Sequence, residues 1–436
     1  MSQAFTTPEY AAARDYLLAL KKRGVSLGLD RMRRFAQALG NPQDDVPCIH
    51  IAGTNGKGSV AAMVESILRA ADWRTGLYTS PHLVRLGERI QVDRTILSEA
   101  EIAAHVAAMA PLAAELEREF GAEEHPSYFE FMTAMAFRHF SGRRCDMACI
   151  EVGLGGRLDA TNIVTPEISV ITSIGLDHCD VLGNTLADIA AEKGGIIKPH
   201  RPVVIGRLPA EAESVIREIA DSREAPVHSV RHEFGSELSR YPTTNLAGDY
   251  QRWNAATATL VARNLPARWR LDAATVARGL ASVDWPARWQ RFSVGGRTVI
   301  VDTSHNSEGA GVLDANLAAL VRETGRAPLI VGGALGISRA RPLVDVFGRH
   351  AREIHFVVPA QSRACRFDEL QTLVSPDFTG RVVRGSVEQI FPKADVCTIG
   401  ERGDTIVVAG SVYLAGEVLA HLRPEHGPSE SRLQDF

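Results

Sequence analysis

Short apolar runs alternate with segments of helical periodicity through the first two thirds of the chain. One such run, residues 48–51, contains the β-branched Ile49 and Ile51 and predicts a buried strand. The next segment predicts a helix, because its apolar residues recur at the spacing of one helix face: Val60, Met63, Val64, Ile67 and Leu68. Further strands are predicted at 76–78, 147–152, 168–173 and 203–205, and helices at 8–40 (broken at Gly24), 98–120, 127–140, 186–195, 210–220 and 251–263. This alternation indicates a doubly wound, mostly parallel sheet.

The pattern changes at residues 284–297, which hold Pro286 and the pair Gly295 and Gly296 without helical periodicity. Such a stretch predicts an interdomain hinge. The alternation then resumes, with strands predicted at 298–301, 329–331, 354–358 and 405–408 and a last helix at 412–422. The tail after Pro424 is expected to be frayed. We therefore predict two α/β domains, residues 1–287 and 288–436.

Composition and charge exclude several classes of protein. The 436 residues are 45% hydrophobic and 23% charged, with a formal net charge of −4, as in an ordinary globular protein that does not bind nucleic acid. No apolar run is long enough to span a bilayer, and residues 1–10 lack the features of a signal peptide. The six cysteines form no CxxC pair, which favours free thiols in a reducing compartment. We expect a cytoplasmic protein without nucleic-acid or membrane partners.

The turn between the first predicted strand and its helix carries a phosphate-binding signature, Gly53-Thr54-Asn55-Gly56-Lys57-Gly58-Ser59. Glycines let backbone N–H groups surround an anion, the helix N-terminus adds partial positive charge, and Lys57 adds a full one. The common pattern has a hydroxyl directly after the lysine, whereas Gly58 intervenes here before Ser59. The predicted fold class is thus α/β: a P-loop-containing, doubly wound, mostly parallel sheet domain followed by a smaller Rossmann-like α/β domain.

Polar residues also follow other predicted strands of the first domain. Ligands bind beyond the carboxyl ends of strands in open α/β sheets, so Ser80 can face the phosphates, although it can equally be a turn serine before Pro81. Glu151 ends a buried strand, where a carboxylate needs a compensating charge such as magnesium. Asp177 and His178 follow the next strand.

Seven segments together resemble the folylpolyglutamate synthase/dihydrofolate synthase branch of the Mur ligase superfamily. They span almost the whole chain: AGTNGKGSV (52–60), YTSPHLVRLGERI (78–90), YFEFMTA (128–134), EVGLGGRLDATN (151–162), ITSIGLDH (171–178), LGNTLADIAAEKGGIIKP (182–199) and GSVYLAGE (410–417). The resemblance implies an ATP-dependent ligase. A pterin- or folate-linked carboxylate would attack the γ-phosphate of MgATP, and L-glutamate would then displace phosphate from the acyl phosphate.

The resemblance also implies roles for particular residues around the nucleotide. The expected ATP contacts are Asn55, Gly56, Lys57, Gly58, Ser59, Asn254, Arg288 and Asp302. The expected metal ligands are Ser80, Glu151, His178 and Lys193, the last as a carbamate, because an ammonium cannot bind a cation. Otherwise Lys193 would pair with an acid such as Glu192. The cofactors implied are ATP and Mg²⁺, expected as two ions, with K⁺ as a further candidate.

Dihydropteroate or folate is expected at two segments, and glutamate near the second domain. The acceptor residues by resemblance are Ser127, Tyr128, Phe129 and Glu130, with Leu158, Asp159 and Ala160; His305 and Ser411 are placed in the glutamate neighbourhood. The expected catalytic residues are Lys57, Lys193, Asp302 and His305. Domain closure around the nucleotide would exclude water from the acyl phosphate. The partners implied are small-molecule substrates, and the expected state is a monomer.

The sequence departs from the family pattern mainly in the second domain. Ala287 replaces a glycine in the Trp-Pro-Gly-Arg segment, and Thr303, Ser304 and Ser307 interrupt the usual Asp-Gly-Ala-His-Asn-Pro. Tyr250 replaces a histidine, and the usual Lys-Asp pair is absent at 336–339. Two alternatives remain: a Mur-type ligase that joins an amino acid to a nucleotide-sugar peptide, and a nucleotide-binding homologue without catalysis.

Overall fold

The computed structural model describes residues 7–24, 28–427 and 429–434. Residues 25–27, within the predicted helical region 8–40, and 428, 435 and 436 of the predicted frayed tail lie outside the described residues. Two sheets organise the chain, one of eight strands and one of six. Residues 287 and 288, the predicted domain boundary, fall between the last helix of the first unit and the first strand of the second, and this boundary stays a prediction.

The first sheet has the order β4-β3-β2-β5-β1-β6-β7-β8 and is parallel from β2 to β8, with the β3–β4 hairpin antiparallel at one edge. Its strands are β1 Cys48–Ala52, β2 Thr75–Tyr78, β3 Ile90–Val92, β4 Thr95–Ile96, β5 Met147–Glu151, β6 Ile168–Ile171, β7 Val203–Ile205 and β8 Val227–Ser229. The accompanying helices are α1 Pro8–Lys22, α2 Asp30–Ala38, α3 Lys57–Arg69, α4 Glu99–Phe120, α5 Tyr128–Gly142, α6 Cys179–Leu182, α7 Leu186–Gly194, α8 Ala210–Ser222, α9 Val230–Phe234, α10 Asp249–Asn264 and α11 Ala273–Ala281.

Both faces of this sheet are covered, as the continuous apolar strands predict. Ile49 and Ile51 of β1 belong to the core formed with α3 and α10, whereas Cys48 faces the core formed with α1, α4 and α5. In β5, Cys149 likewise belongs to the core formed with α3 and α10, and Ile150 belongs to the core formed with α1, α4 and α5. The predicted doubly wound, mostly parallel domain is therefore confirmed.

The second sheet has the order β13-β12-β11-β14-β10-β9 and is parallel except for the β9–β10 pair. Its strands are β9 Gln290–Val294, β10 Arg297–Val301, β11 Leu329–Gly332, β12 Glu353–Val357, β13 Arg381–Gly385 and β14 Thr405–Ala409. Its helices are α12 Ser307–Thr324, α13 Ile337–His350, α14 Phe367–Gln371, α15 Val387–Ile390 and α16 Val412–Leu422. Here too a smaller α/β unit follows the first, as predicted.

Two predictions about irregular segments are wrong. Gly295 and Gly296 are not part of a hinge but form the two-residue turn of the β9–β10 hairpin, with φ of +57° and +78°. Both positions of such a turn require positive φ, which glycine adopts without strain. The tail is not frayed in residues 429–434 either, because Leu433 and Gln434 are buried against the first domain. The contacts that hold them come from residues over three hundred positions away.

None of the helices in the described ranges is long and apolar enough to cross a membrane.

Candidate active site

The phosphate-binding turn joins β1 to α3. Lys57 begins α3, and its Nζ folds back to donate to the carbonyls of Gly53 (3.1 Å) and Thr54 (3.2 Å). Gly56 has a φ of +82°, and a Cβ there would lie 2.6 Å from Oδ1 of Asn254. The turn therefore needs glycine for its backbone conformation and for the approach of α10.

Ser80, two residues after the end of β2, and Glu151, the last residue of the neighbouring parallel strand β5, meet beside this turn. The backbone N–H of Ser80 donates to Oε2 of Glu151 at 3.1 Å. A Cβ added at Gly58 would lie 3.4 Å from the same carboxylate oxygen and 2.7 Å from the Trp285 ring. Glu151 is only 4% exposed. The glycine thus leaves room for a buried carboxylate next to the helix N-terminus.

Lys193 and His178 approach the turn from the other side of β1. Lys193, on α7, is 5% exposed, and its Nζ donates to the carbonyl of Gly53 at 3.0 Å. Burial, with the nearby charge of Lys57, lowers the pKa of Lys193 to about 7. Burial likewise lowers the pKa of His178 to about 4, against the opposing effect of Asp177. At neutral pH the imidazole is uncharged, which is the form that binds metals.

The second domain supplies groups that follow β10 and β14. Asp302 accepts from the backbone N–H of Trp289 (3.0 Å) and of Ser304 (2.9 Å), so it holds the two sides of the β9–β10 hairpin together. His305 contacts the carbonyl of Thr303 through Nδ1 at 2.9 Å, and burial lowers its pKa. Ser411 caps α16 by accepting from the N–H of Tyr413. Arg288 donates to Thr303 and to the carbonyl of Ala287.

Polar contacts between the domains involve Asn55, an expected ATP contact, and several residues to which sequence reasoning gave no role. The amides of Asn55 and Asn306 are paired reciprocally at 3.1 Å, and Asn55 also donates to Glu308 at 2.8 Å. Asp177 accepts from Asn306 at 2.9 Å and from Arg339 at 2.5 Å. Positive neighbours hold the pKa of the Asp177 carboxyl far below its ordinary value despite its burial. One signal pointed here: Arg339 lies where the family's Lys-Asp pair is absent.

A cavity of about 1120 Å³ lies between the two domains. It brings together the predicted nucleotide, metal and glutamate residues: Asn55, Gly56, Lys57, Gly58, Ser59, Ser80, Glu151, His178, Lys193, Asn254, Arg288, Asp302, His305 and Ser411. This volume is slightly larger than the about 300–1,000 Å³ of typical ligand and cofactor pockets, so the cavity can hold a nucleotide-sized ligand.

The cavity is not lined by the predicted acceptor residues: Ser127, Tyr128, Phe129, Glu130, Leu158, Asp159 and Ala160. Glu130 forms the capping box of α5 with Ser127 and pairs with Arg31 at 2.6 Å. Asp159 accepts from the N–H groups of Gly153 and Leu154. Phe129 packs behind the cavity wall, because its ring would lie 2.4 Å from a Cβ at Gly153, which does line the cavity.

The described residues contain no group of three His, Cys, Asp or Glu side chains placed to hold a metal. A divalent ion beside the P-loop would therefore need other donors in addition to Glu151 and His178. The hydroxyl of Ser80 and the phosphate oxygens of a nucleotide are hard oxygen donors of the kind magnesium prefers. The residues present fit such an ion, because the space at Gly58 places a carboxylate next to the phosphate turn.

A P-loop beside a buried carboxylate, with a second α/β domain facing it, defines the ATP-dependent ligases of the Mur type. The sequence matches the Mur ligase middle domain family over residues 51–241. It is 37% identical over 322 residues to the dihydrofolate synthase/folylpolyglutamate synthase of Bacillus subtilis, covering 69% of this chain and 74% of the relative. The chain belongs to the folylpolyglutamate synthase/dihydrofolate synthase family, as the sequence segments predicted, and it is an ATP-dependent ligase.

Two solved structures support the same conclusion over nearly the whole chain. An Escherichia coli FolC in complex with DHPP and ADP superposes with a TM-score of 0.81 at 28% identity, covering 98% of this chain and all (100%) of the other. The bifunctional folylpolyglutamate synthase/dihydrofolate synthase of Yersinia pestis, complexed with AMPPNP and a manganese ion, superposes with a TM-score of 0.79 at 29% identity, covering 97% and 100%. The predicted fold is thereby confirmed, and the nucleotides and the manganese ion bound by these two relatives agree with the predicted cofactors, ATP and a divalent metal.

Proposed function

We propose that this chain adds L-glutamate to dihydropteroate, to the γ-carboxylate of reduced folates, or to both, through an acyl phosphate. A carboxylate oxygen of the acceptor attacks the γ-phosphorus and ADP leaves. The amine of glutamate then attacks the acyl carbon, phosphate leaves, and the nitrogen loses a proton. The observation that carries the proposal is the interdomain cavity, in which the P-loop and Glu151 are brought together with Asp302, His305 and Ser411.

The residues of the P-loop would hold and neutralise the triphosphate. Phosphoryl transfer requires positioning and charge stabilisation more than covalent chemistry. The backbone N–H groups at the start of α3 and the ammonium of Lys57 supply both, once Lys57 exchanges its carbonyl contacts for phosphate oxygens. Asn254, which touches Gly56, would face the base, with Arg288 and Asp302 closing from the second domain.

Ser80, Glu151, His178 and a carbamylated Lys193 would hold the divalent ion, which supplies charge neutralisation at the phosphates when bound. Carbamylation needs a neutral amine to attack carbon dioxide, with loss of one proton. A lysine whose pKa is lowered to about 7 is neutral in about half of the molecules at neutral pH. Lys193 forms no ion pair with Glu192, which instead contacts Arg157 at 2.7 Å.

We further propose that the second domain protects the acyl phosphate. Asn306, Glu308 and Arg339 of this domain already contact the first domain beside the P-loop. Such a closed arrangement keeps water from the reactive intermediate. His305 and Ser411 would then lie next to the incoming amine. The finer expectations also stand as proposals: two magnesium ions, a potassium ion, a cytoplasmic monomer, and an acceptor bound at Ser127–Glu130 and Leu158–Ala160.

The test offers dihydropteroate and tetrahydrofolate separately, each with ATP, magnesium and L-glutamate. We expect a product heavier by one glutamate residue and equimolar release of phosphate. With a heavy-oxygen label in the acceptor carboxylate, one labelled oxygen should appear in the phosphate, since that oxygen bridges carbon and phosphorus in the intermediate. Lys57→Ala provides the inactive control. Phosphate release only with a nucleotide-sugar peptide, or ATP binding without turnover, would contradict the proposal.

A further inference from the structure

Two segments that are distant in sequence meet between the domains, and both contribute residues to the lining of the cavity. The first, which we name the Ser80 loop, comprises residues 80–88 after β2. The second, the C-terminal segment, comprises residues 430–434 after α16. Sequence reasoning assigned a role only to Ser80 in the first and expected the second to be frayed.

Each segment buries an apolar side chain in the core of the opposite domain. Val84 of the Ser80 loop is 1% exposed and packs in the second-domain core with α16. Leu433 of the C-terminal segment is also 1% exposed, but it packs in the first-domain core with α1 and α5. A Cβ at Gly416 would lie 2.0 Å from the carbonyl of Leu83, so α16 touches the loop backbone directly. The contact is therefore reciprocal.

Glu430 is the main polar connection between the two segments. Its carboxylate accepts from the N–H of Leu86 at 2.7 Å and from the hydroxyl of Tyr10, and it lies 3.4 Å from the guanidinium of Arg85. Its own N–H donates to the carbonyl of Val84 at 2.8 Å. Gln434 adds two bonds from Nε2 to the carbonyls of His82 and Leu83, both at 2.7 Å.

The Ser80 loop carries this constraint to the phosphate site. Within the loop, the carboxylate of Glu88 accepts from the N–H groups of Leu83, Val84 and Arg85 at 2.7–3.0 Å, so these residues move as one unit. At the start of the loop, the N–H of Ser80 donates to Glu151, whose carboxylate faces the P-loop. A displacement of the loop would therefore displace the donor that orients Glu151.

We propose that Glu430 of the C-terminal segment is a positioning residue for the ligase reaction, which acts through the Ser80 loop on Ser80 and Glu151. This inference rests on the proposed function only in its kinetic test, whereas the hydrogen-exchange test is independent of it. A displacement of about 1 Å in a group that positions the reacting atoms can lower the rate by up to about 10²-fold. The position of the second domain is thereby coupled, through Glu430, to the position of the Glu151 carboxylate.

The experiment compares Glu430→Ala and Glu430→Gln in the full chain by amide hydrogen exchange and steady-state kinetics. In Glu430→Ala we expect exchange at Leu86 and at the Ser80 N–H to rise about tenfold or more, because local opening sets the exchange rate. We expect kcat to fall by about tenfold while the KM for ATP changes less than about twofold, since the P-loop is untouched. Glu430→Gln keeps the acceptor oxygen for Leu86 and should recover most of both values.

Arg432→Ala is the matched control, because Arg432 lies in the same segment with an exposed side chain. It should leave exchange and kcat unchanged. Three results would overturn the positioning role. The first is faster exchange at Leu86 without any change at Ser80, and the second is faster exchange at both residues with kcat unaltered. The third is no change in exchange or kcat at all. If the wild-type protein turns over neither acceptor, the proposed function fails, and the response of the Ser80 N–H alone then decides this inference.

Discussion

Gly58→Ala tests how closely the phosphate turn, Glu151 and the segment before β9 are packed. Gly58 lies in the first turn of α3 without a positive φ, so alanine fits the backbone. On helix propensity alone the substitution would stabilise the fold by up to about 1 kcal/mol. The added Cβ, however, would lie 2.7 Å from Cζ2 of Trp285, a distance that requires the ring to move.

The two effects oppose each other, and their sizes decide the expected sign. Overpacking of a well-packed site costs about 1–3 kcal/mol, which exceeds the gain in propensity. Arg94 and Arg288 restrain Trp285, because their guanidinium groups lie over its ring at 5.9 Å from the ring centre. We therefore expect a net loss of up to about 2 kcal/mol in the free energy of unfolding.

Gly58→Ala should impair catalysis as well as stability. Its Cβ would also contact Oε2 of Glu151 at 3.4 Å, and a displaced Trp285 would carry Arg288 away from the cavity. We expect kcat/KM for ATP to fall about tenfold or more, equivalent to about 1.4 kcal/mol of transition-state stabilisation. Urea unfolding and initial rates over a series of ATP concentrations measure the two quantities.

Gly311→Ala is the matched control for this experiment. Gly311 lies inside α12, and a Cβ there would meet nothing within 4 Å. It should raise stability by about 0.5–1 kcal/mol and leave activity unchanged. If Gly58→Ala behaves as Gly311→Ala does, the space at Gly58 has no function and the reasoning is refuted.

Three further predictions concern the P-loop, the metal and pH. Lys57→Ala should lower kcat about 10²-fold or more by removing charge stabilisation of the transferred phosphoryl group; a smaller loss in single-turnover rates would contradict this role. Glu151→Gln should raise the magnesium concentration needed for half-maximal rate, and an unchanged magnesium titration would exclude Glu151 as a ligand. His50, bonded to Thr161 at 2.8 Å, has its pKa lowered to about 3 by burial, so the unfolded state binds more protons between the unfolded pKa near 6.5 and pH 3. The free energy of unfolding should therefore decrease as the pH is lowered through this window, by up to about 1.4 kcal/mol per pH unit from this group. His50→Gln should reduce this pH dependence of stability, as measured by urea unfolding.

The sequence predicts well those parts whose signals are local. The run at 48–51, its glycine turn and the periodic helix after it appear as β1, the P-loop and α3. Glu151 is found at a strand end next to Ser80, because parallel strands place their carboxyl ends at one edge of the sheet. The six free cysteines agree with the expectation of unpaired thiols.

The parts that were missed depend on tertiary contacts. The strand β9 lies at a sheet edge and alternates only partly between buried and exposed residues, so its glycine turn was mistaken for a hinge. Leu433 and Gln434 have no periodicity of their own, and they are buried by contacts with first-domain residues that are distant in sequence. Asn306 and Arg339 likewise gain their roles from partners on the other domain.

The exchange of side chains between the two cores limits how this chain can be recombined with its relatives. A chimera joined at residues 287 and 288 would unite one parent's residues 82–86 with the other parent's residues 430–434. Those two pieces would have to match in shape and hydrogen bonding although Leu86 and Glu430, which are bonded to each other, are 344 positions apart in the sequence. Successful hybrids should therefore take both pieces from the same parent.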